Sequence, residues 1–123
     1  MNMRVAGGLA VVAFLSLVGA AWATPPGVTE KDGSFLSPDG KPLYTFANDR
    51  TAGKSNCNAA CAAAWPPLAA AAGAAADGDW SVITRDDGSS QWAYKGKPLY
   101  AFKGDTAGKP ATGVGPAWPL VVK

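Results

Sequence analysis

The sequence predicts a small, mainly β domain of two diverged tandem repeats, each of β-hairpin or meander type, sharing one core. Three observations lead there. One block is written twice: Gly40-Lys41-Pro42-Leu43-Tyr44-Thr45-Phe46-Ala47-Asn48-Asp49 returns as Gly96-Lys97-Pro98-Leu99-Tyr100-Ala101-Phe102-Lys103-Gly104-Asp105. Each copy then runs through the same two blocks in the same order, Thr-Ala-Gly-Lys at 51–54 and 106–109 and Ala-Trp-Pro at 64–66 and 117–119. Such an internal duplication, in units too short on apolar residues to stand alone, implies a shared core. Finally, short runs of aromatic and β-branched residues are bounded by Asp-Gly and Lys-Gly pairs, the pattern of strands joined by tight turns.

The N-terminus reads as a secretory signal. Met1-Asn2-Met3-Arg4 is a short positive start, residues 5–20 are an apolar run without a charge, and Ala21-Trp22-Ala23 offers small residues where a signal peptidase reads them. Cleavage is expected before Thr24. An uncleaved anchor is the competing reading, weakened because the run is shorter than the roughly 20 residues of a span and contains Gly7, Gly8 and Gly19. The expected mature domain, residues 24–123, then lies in the periplasm or outside the cell, where disulfides persist. Within it, repeat one is expected at about 28–68, an Ala/Gly connector at about 69–78 and repeat two at about 79–123.

Taken in order, Thr24-Pro25-Pro26-Gly27 reads as an extended leader. Residues 28–31 start a strand, Asp32-Gly33 turns it, and Ser34-Phe35-Leu36-Ser37 follows as a short apolar-centred run. Pro38-Asp39-Gly40-Lys41 is a strong turn, since proline presets φ, aspartate bonds local amides and glycine accepts a positive φ. Leu43-Tyr44-Thr45-Phe46 then alternates, with Tyr44 and Phe46 on one face, completing a hairpin. Residues 58–64 carry enough alanine for a short helical segment near the cysteines, stopped by Pro66-Pro67. Residues 68–78 are mostly Ala and Gly and read as the connector; a longer helix is the alternative, and Gly73 counts against it. In the second copy, residues 80–84, 91–94 and 99–102 read as a three-stranded meander. Residues 117–122 read as a last strand that Pro119 confines to an edge.

Composition excludes much chemistry. Both methionines lie in the signal, and residues 24–123 contain neither Met nor His. Imidazole and thioether ligands for haem iron or copper, zinc hydrolase sites and serine triads are thereby absent from the mature chain. Without Arg4, the eleven basic residues become ten against nine acidic, a net charge of +1. Neither a clustered basic face for nucleic acid nor a like-charge run for anionic membranes follows from that balance. Gly53-Lys54-Ser55 and Gly108-Lys109 resemble phosphate-loop endings, but Asn48 and Lys103 stand where such a loop needs its first glycine. The expectation is a monomer that does not span a membrane after cleavage and has no cofactor, no metal and no catalytic residue.

Three sets of residues remain as candidates. Cys57 and Cys61 are the only cysteines, and in an oxidising compartment they read first as a disulfide closing the Asn58-Ala59-Ala60 loop. A redox or metal-binding thiol pair is the alternative, although redox motifs favour two intervening residues. Asp49 and Asp105 invite a calcium or acid/base reading. Asp105-Thr106-Ala107-Gly108 instead has the end residues of a type I turn, in which the carboxylate bonds nearby backbone amides. The aromatic residues form the core of a chain short of aliphatics, while Trp65 and Trp118, flanking the loops after Asp49 and Asp105, are the candidate binding surface.

Tyr44-x-Phe46-x-x-Asp49 and Tyr100-x-Phe102-x-x-Asp105 resemble the tandem motif of the bacterial secreted-repeat proteins of unknown function, described as predicted lipoproteins with a Tyr-x-[Phe/Trp/Tyr]-x-x-Asp motif. Thr51-Ala52-Gly53-Lys54, Cys57, Cys61 and Ala64-Trp65-Pro66-Pro67-Leu68 are similar to the rest of that family's first unit; Asp86-Asp87-Gly88, Gly113-Val114-Gly115 and Trp118 resemble its second. The resemblance implies a cell-envelope location and assigns no activity. Two departures stand out. No cysteine occupies the cleavage site, so a soluble rather than lipid-anchored protein is expected, and Pro119 follows Trp118 where many relatives carry His. The expected function is a non-enzymatic binding or interaction module for an envelope protein or a small ligand. The alternative is a periplasmic redox or redox-accessory protein using Cys57 and Cys61, and a weaker third is an enzyme built on Asp and Tyr.

Overall fold

The structure, a computed structural model, describes residues 24–123; the signal reading falls on residues 1–23, outside the described residues. It is mainly β. Strands β1 (Thr29–Lys31) and β2 (Ser34–Leu36) pair antiparallel, as do β3 (Trp80–Thr84), β4 (Ser90–Tyr94) and β5 (Lys97–Pro98) in that order. A single short helix, α1 (Ala60–Ala64), stands among the described residues where the alanine run and the following prolines place it. Two hairpins are set by their turns: Asp32 and Gly33 have φ of 52° and 78°, Lys95 and Gly96 have 51° and 82°. Successive positive φ values are those of a type I′ turn, whose twist matches the strands it joins.

The two sheets close over one core. Val28, Phe35, Leu43, Leu68, Trp80, Trp92, Tyr94, Leu99 and Val121 form a single buried cluster drawn from both repeats. Phe35 of the first repeat lies edge-on to Trp80 and Tyr94 of the second, 4.9 Å from each ring centre. Burying a side chain of that size contributes about 1.5–3 kcal/mol, so aromatic contacts across the repeats carry much of the stability.

Between the sheets, four extended segments run side by side through Leu120, Tyr44, Tyr100 and Pro67. Tyr44 and Tyr100 exchange both backbone bonds, N–H to O at 2.7 and 2.9 Å. The outer bonds are swapped between copies. Thr45 N–H donates to Pro119 O (2.9 Å) and Ala101 N–H to Pro66 O (2.8 Å), followed by Ala47 to Ala117 (2.8 Å) and Lys103 to Ala64 (3.0 Å). Each Tyr-x-Phe segment is therefore completed by the Ala-Trp-Pro segment of the other repeat.

Several local expectations change in detail. Residues 43–46, 99–102 and 117–122, read as strands, make isolated bridges instead, and the third strand of the meander is Lys97–Pro98. Prolines 42, 66, 67, 98 and 119 explain this, because a residue without an N–H cannot extend a ladder. The leader is not extended: Val28 N–H donates to Pro25 O at 3.0 Å, closing a turn in which Gly27 has φ of 82°. A Cβ on Gly27 would stand 2.9 Å from the Pro38 ring. The connector begins as a partner of β4, with Trp92 N–H on Leu68 O (2.8 Å) and Ala70 N–H on Ser90 O (3.1 Å), along the edge that the short β5 leaves open.

Candidate functional site

The repeated motif forms two reciprocal locks between the repeats. Tyr44 donates its hydroxyl to Asp105 Oδ2 at 2.6 Å, and Tyr100 donates to Asp49 Oδ2 at 2.6 Å. The second oxygen of each carboxylate accepts from the residue seven positions on: Asp49 Oδ1 from Asn56 N–H (2.6 Å), Asp105 Oδ1 from Thr112 N–H (2.8 Å) and from the Thr112 hydroxyl (2.6 Å). Each carboxylate thus fixes its own loop and grips the tyrosine of the other repeat. The turn reading of Asp105 holds only in part, since the amide it bonds lies beyond the turn.

Both tyrosines are fully buried, and Asp105 is 5% exposed. Burial, and then the bond to Asp105, pushes the Tyr44 phenol up to about 12. Burial, and then the bond to Asp49, takes Tyr100 to about 12 as well. For Asp105, burial opposes ionisation, but the bonds from Thr112 and Tyr44 together hold its carboxyl below the usual range. A neutral phenol facing an ionised carboxylate is a charge-assisted bond, the stronger kind. It is also a resting arrangement, with the phenol proton held and both oxygens of each carboxylate engaged.

Outside the locks lies a four-ring stack whose members alternate between repeats. Phe46 lies on Trp118 (4.1 Å between centres, planes 9° apart), Trp118 on Trp65 (3.9 Å, 4°) and Trp65 on Phe102 (4.4 Å, 29°). Tyr44 meets Trp65 edge-on at 4.9 Å and Tyr100 meets Trp118 at 5.3 Å, which joins the stack to the locks. All four stacked rings are half-buried. Neighbouring rings cover both faces of each indole, so a ligand would meet ring edges rather than an open platform. Glycine is required at 113, where a Cβ would stand 2.7 Å from Trp65 and 2.9 Å from Phe102.

The two hydroxyls are completed differently. Tyr44 OH accepts from Gly113 N–H at 3.1 Å, whereas Tyr100 OH lies 2.6 Å from Ser55 Oγ. Ser55 Oγ already accepts from Arg85 Nη1 (3.0 Å) and Cys57 N–H (3.3 Å), so its own proton goes to Tyr100. Arg85, 5% exposed, also donates to Gln91 Oε1 (2.8 Å) and through Nη2 to the Cys57 carbonyl. Neutral acceptors take the place of a counter-ion around this buried cation. Cys57 and Cys61 form a disulfide, and Cys57 is fully buried.

The family described as a secreted repeat of unknown function matches twice, over residues 27–69 and 81–122, more than half of the chain. The chain belongs to this secreted-repeat family. No curated protein and no solved structure matches it. Both units of the secreted-repeat protein contain a Tyr-x-Phe-x-x-Asp block, and the structure brings together all ten residues that the sequence singles out. Tyr44, Asp49, Tyr100 and Asp105 form the locks; Phe46, Trp65, Phe102 and Trp118 form the stack; Cys57 and Cys61 clip the loop beside them. Sequence reasoning passes over Arg85 and Thr112, and it meets Ser55 and Gly113 only in a rejected phosphate-loop match and in the family resemblance, without a role at this site. For Thr112 a signal exists in the equal seven-residue spacing of Asp49 to Asn56 and Asp105 to Thr112. For Arg85 there is none, because a lone basic residue before a turn reads as surface.

Proposed function

We propose that this secreted-repeat protein is a non-enzymatic binding module of the cell envelope, working in the periplasm as the single domain 24–123. The observation that carries this reading is the reciprocal pairing of Tyr44 with Asp105 and Tyr100 with Asp49. Those residues are the best candidates for acid/base work in a chain segment without histidine, and both phenols and one oxygen of each carboxylate are engaged between the repeats. The motif then serves as a scaffold, and recognition falls to the loops after Asp49 and Asp105 and to the ring edges of Trp65 and Trp118. The redox alternative finds less support, because Cys57 is fully buried and its carbonyl is held by Arg85.

Intact mass of protein recovered from the periplasm, under native and denaturing conditions, tests the proposal. The expected result is a chain beginning at Thr24 with both cysteines oxidised, carrying a non-covalent species that denaturation releases. A standing population with free thiols, or a mixed disulfide with another thiol, would overturn it in favour of redox cycling.

A further inference from the structure

At one matched place the two repeats differ in what fills the space. In the second half of the molecule, the loop at 53–55 crosses the β4–β5 turn, with Gly53 N–H on Gly96 O at 2.9 Å. The Arg85 guanidinium fills the space beneath, bonded to Ser55 and Gln91. In the first half, the loop at 108–111 crosses the turn after β2 in the same manner, with Gly108 N–H on Gly40 O at 3.1 Å. Among the described residues no side chain takes the place of Arg85 there. The hairpin turn is Asp32-Gly33 rather than the five residues 85–89, and the smaller Ser34 stands where the second repeat has Gln91, since Leu43 N–H bonds Phe35 O as Leu99 N–H bonds Trp92 O. What remains is an open groove of about 430 Å³, floored by Phe35, Leu36, Pro42 and Leu120. That volume lies in the range of small-ligand sites, roughly 300–1,000 Å³.

Charge at the mouth differs as well. Lys54, beside the filled half, is paired with Asp86 at 3.1 Å. Its counterpart Lys109 lines the open groove together with Lys31, and neither makes an ion pair among the described residues. Among the described residues Asp32 is the one carboxylate on the lining, so with Lys31 and Lys109 the lining carries a net charge of +1. We propose that this groove binds a small molecule with an apolar body and a single carboxylate headgroup, the class of a medium-chain fatty acid. The apolar floor would take the body, and Lys31 and Lys109 the headgroup. This rests on the binding-module reading and gives it a ligand class.

Octanoate, octanol and octylamine titrated into the full mature protein, followed by amide chemical shifts, test the proposal. Octanoate is expected to move Phe35, Leu36 and Ala111 and to bind more tightly than octanol, with octylamine weakest. Lys31 and Lys109 are exposed, so the double variant Lys31→Glu/Lys109→Glu should fold normally; it should weaken octanoate by about tenfold and leave octanol unchanged. Ala111→Trp, which fills the groove, should abolish binding of both while the melting temperature holds. Saturating octanoate that moves no groove amide would overturn the proposal. So would octylamine binding as tightly as octanoate, or charge reversal without effect. If octanoate fails while native mass still shows a retained species, the groove assignment falls and the binding-module reading stands. If neither binds, both fall.

Discussion

Asp105→Asn tests the reciprocal lock most directly. In the native protein Asp105 accepts three bonds, from the Tyr44 hydroxyl, Thr112 N–H and Thr112 Oγ1, in a site 5% exposed. Asparagine keeps one acceptor oxygen. If that oxygen stays with Thr112, the amide group faces Tyr44 OH, which already accepts from Gly113 N–H, and the tyrosine proton loses its acceptor. The loss of one charge-assisted bond in a buried site costs about 1.5–3 kcal/mol. For a domain near 100 residues that corresponds to a fall in Tm of about 6–15 °C.

Thermal and urea unfolding, followed by circular dichroism, should show this shift. Asp49→Asn, at a half-buried carboxylate, should cost less. A double-mutant cycle with Tyr44→Phe isolates the contact between repeats, with an expected coupling of about 1–2 kcal/mol. A change within about 0.5 kcal/mol, the size of an ordinary surface substitution, would refute the reasoning. So would zero coupling with Tyr44→Phe, which would mean that Asp105 only steadies its own loop through Thr112.

The same bonds set a pH window. The Asp105 carboxyl is depressed in the folded state, so its contribution is present above the unfolded value of about 3.9 and is lost as pH falls through the folded value. An acid limb in Tm should follow, shallower in Asp105→Asn. Tyr44 and Tyr100 are both raised to about 12, so their contributions are intact below about pH 10 and are lost between there and pH 12; Tyr44→Phe should flatten that alkaline limb. Reducing Cys57–Cys61 should lower stability by about 2 kcal/mol without unfolding the domain, measured as a shift in urea midpoint, because the closed loop is short and Arg85 still holds the Cys57 carbonyl. Ala59, before α1, has φ of 50° and ψ of −119°, so Ala59→Gly should stabilise by about 1 kcal/mol; a lower Tm would contradict the strain it relieves.

Much of the fold is legible in the chain because it is decided locally. Asp32-Gly33 and Lys95-Gly96 declare their turns, the alanine run before Pro66-Pro67 declares α1, and two cysteines four apart in an exported chain declare a disulfide. The exchange between repeats is not local and leaves no mark in the sequence. Two copies of one motif are equally consistent with Tyr44 bonding Asp49 or Asp105, and with Phe46 lying on Trp65 or Trp118. Which pairing forms depends on the antiparallel meeting of Tyr44 and Tyr100, and that register exists only in the folded chain. The proline effect is local, but the aromatic alternation at 43–46 and 99–102 is the stronger signal in the sequence.

The exchange limits where the repeats can diverge. A single unit would leave Tyr44 without Asp105, Phe46 without Trp118 and Thr45 N–H without Pro119, each a group that the native fold pairs across the repeats. A lone unit would also expose the apolar surface that the other repeat now covers, at about 1.5–3 kcal/mol for each large side chain, comparable in total with the whole stability of a small domain. The pair is therefore the smallest unit expected to fold, and the lock residues are the same in both copies. Difference is tolerated around them: Gly113 N–H in one half does what Ser55 does in the other, and a disulfide stands on one side only. Arg85 belongs to this second group. It fills the space under one loop and has no equivalent under the other, so the duplication yields one closed half that braces the fold and one open half with room for a ligand.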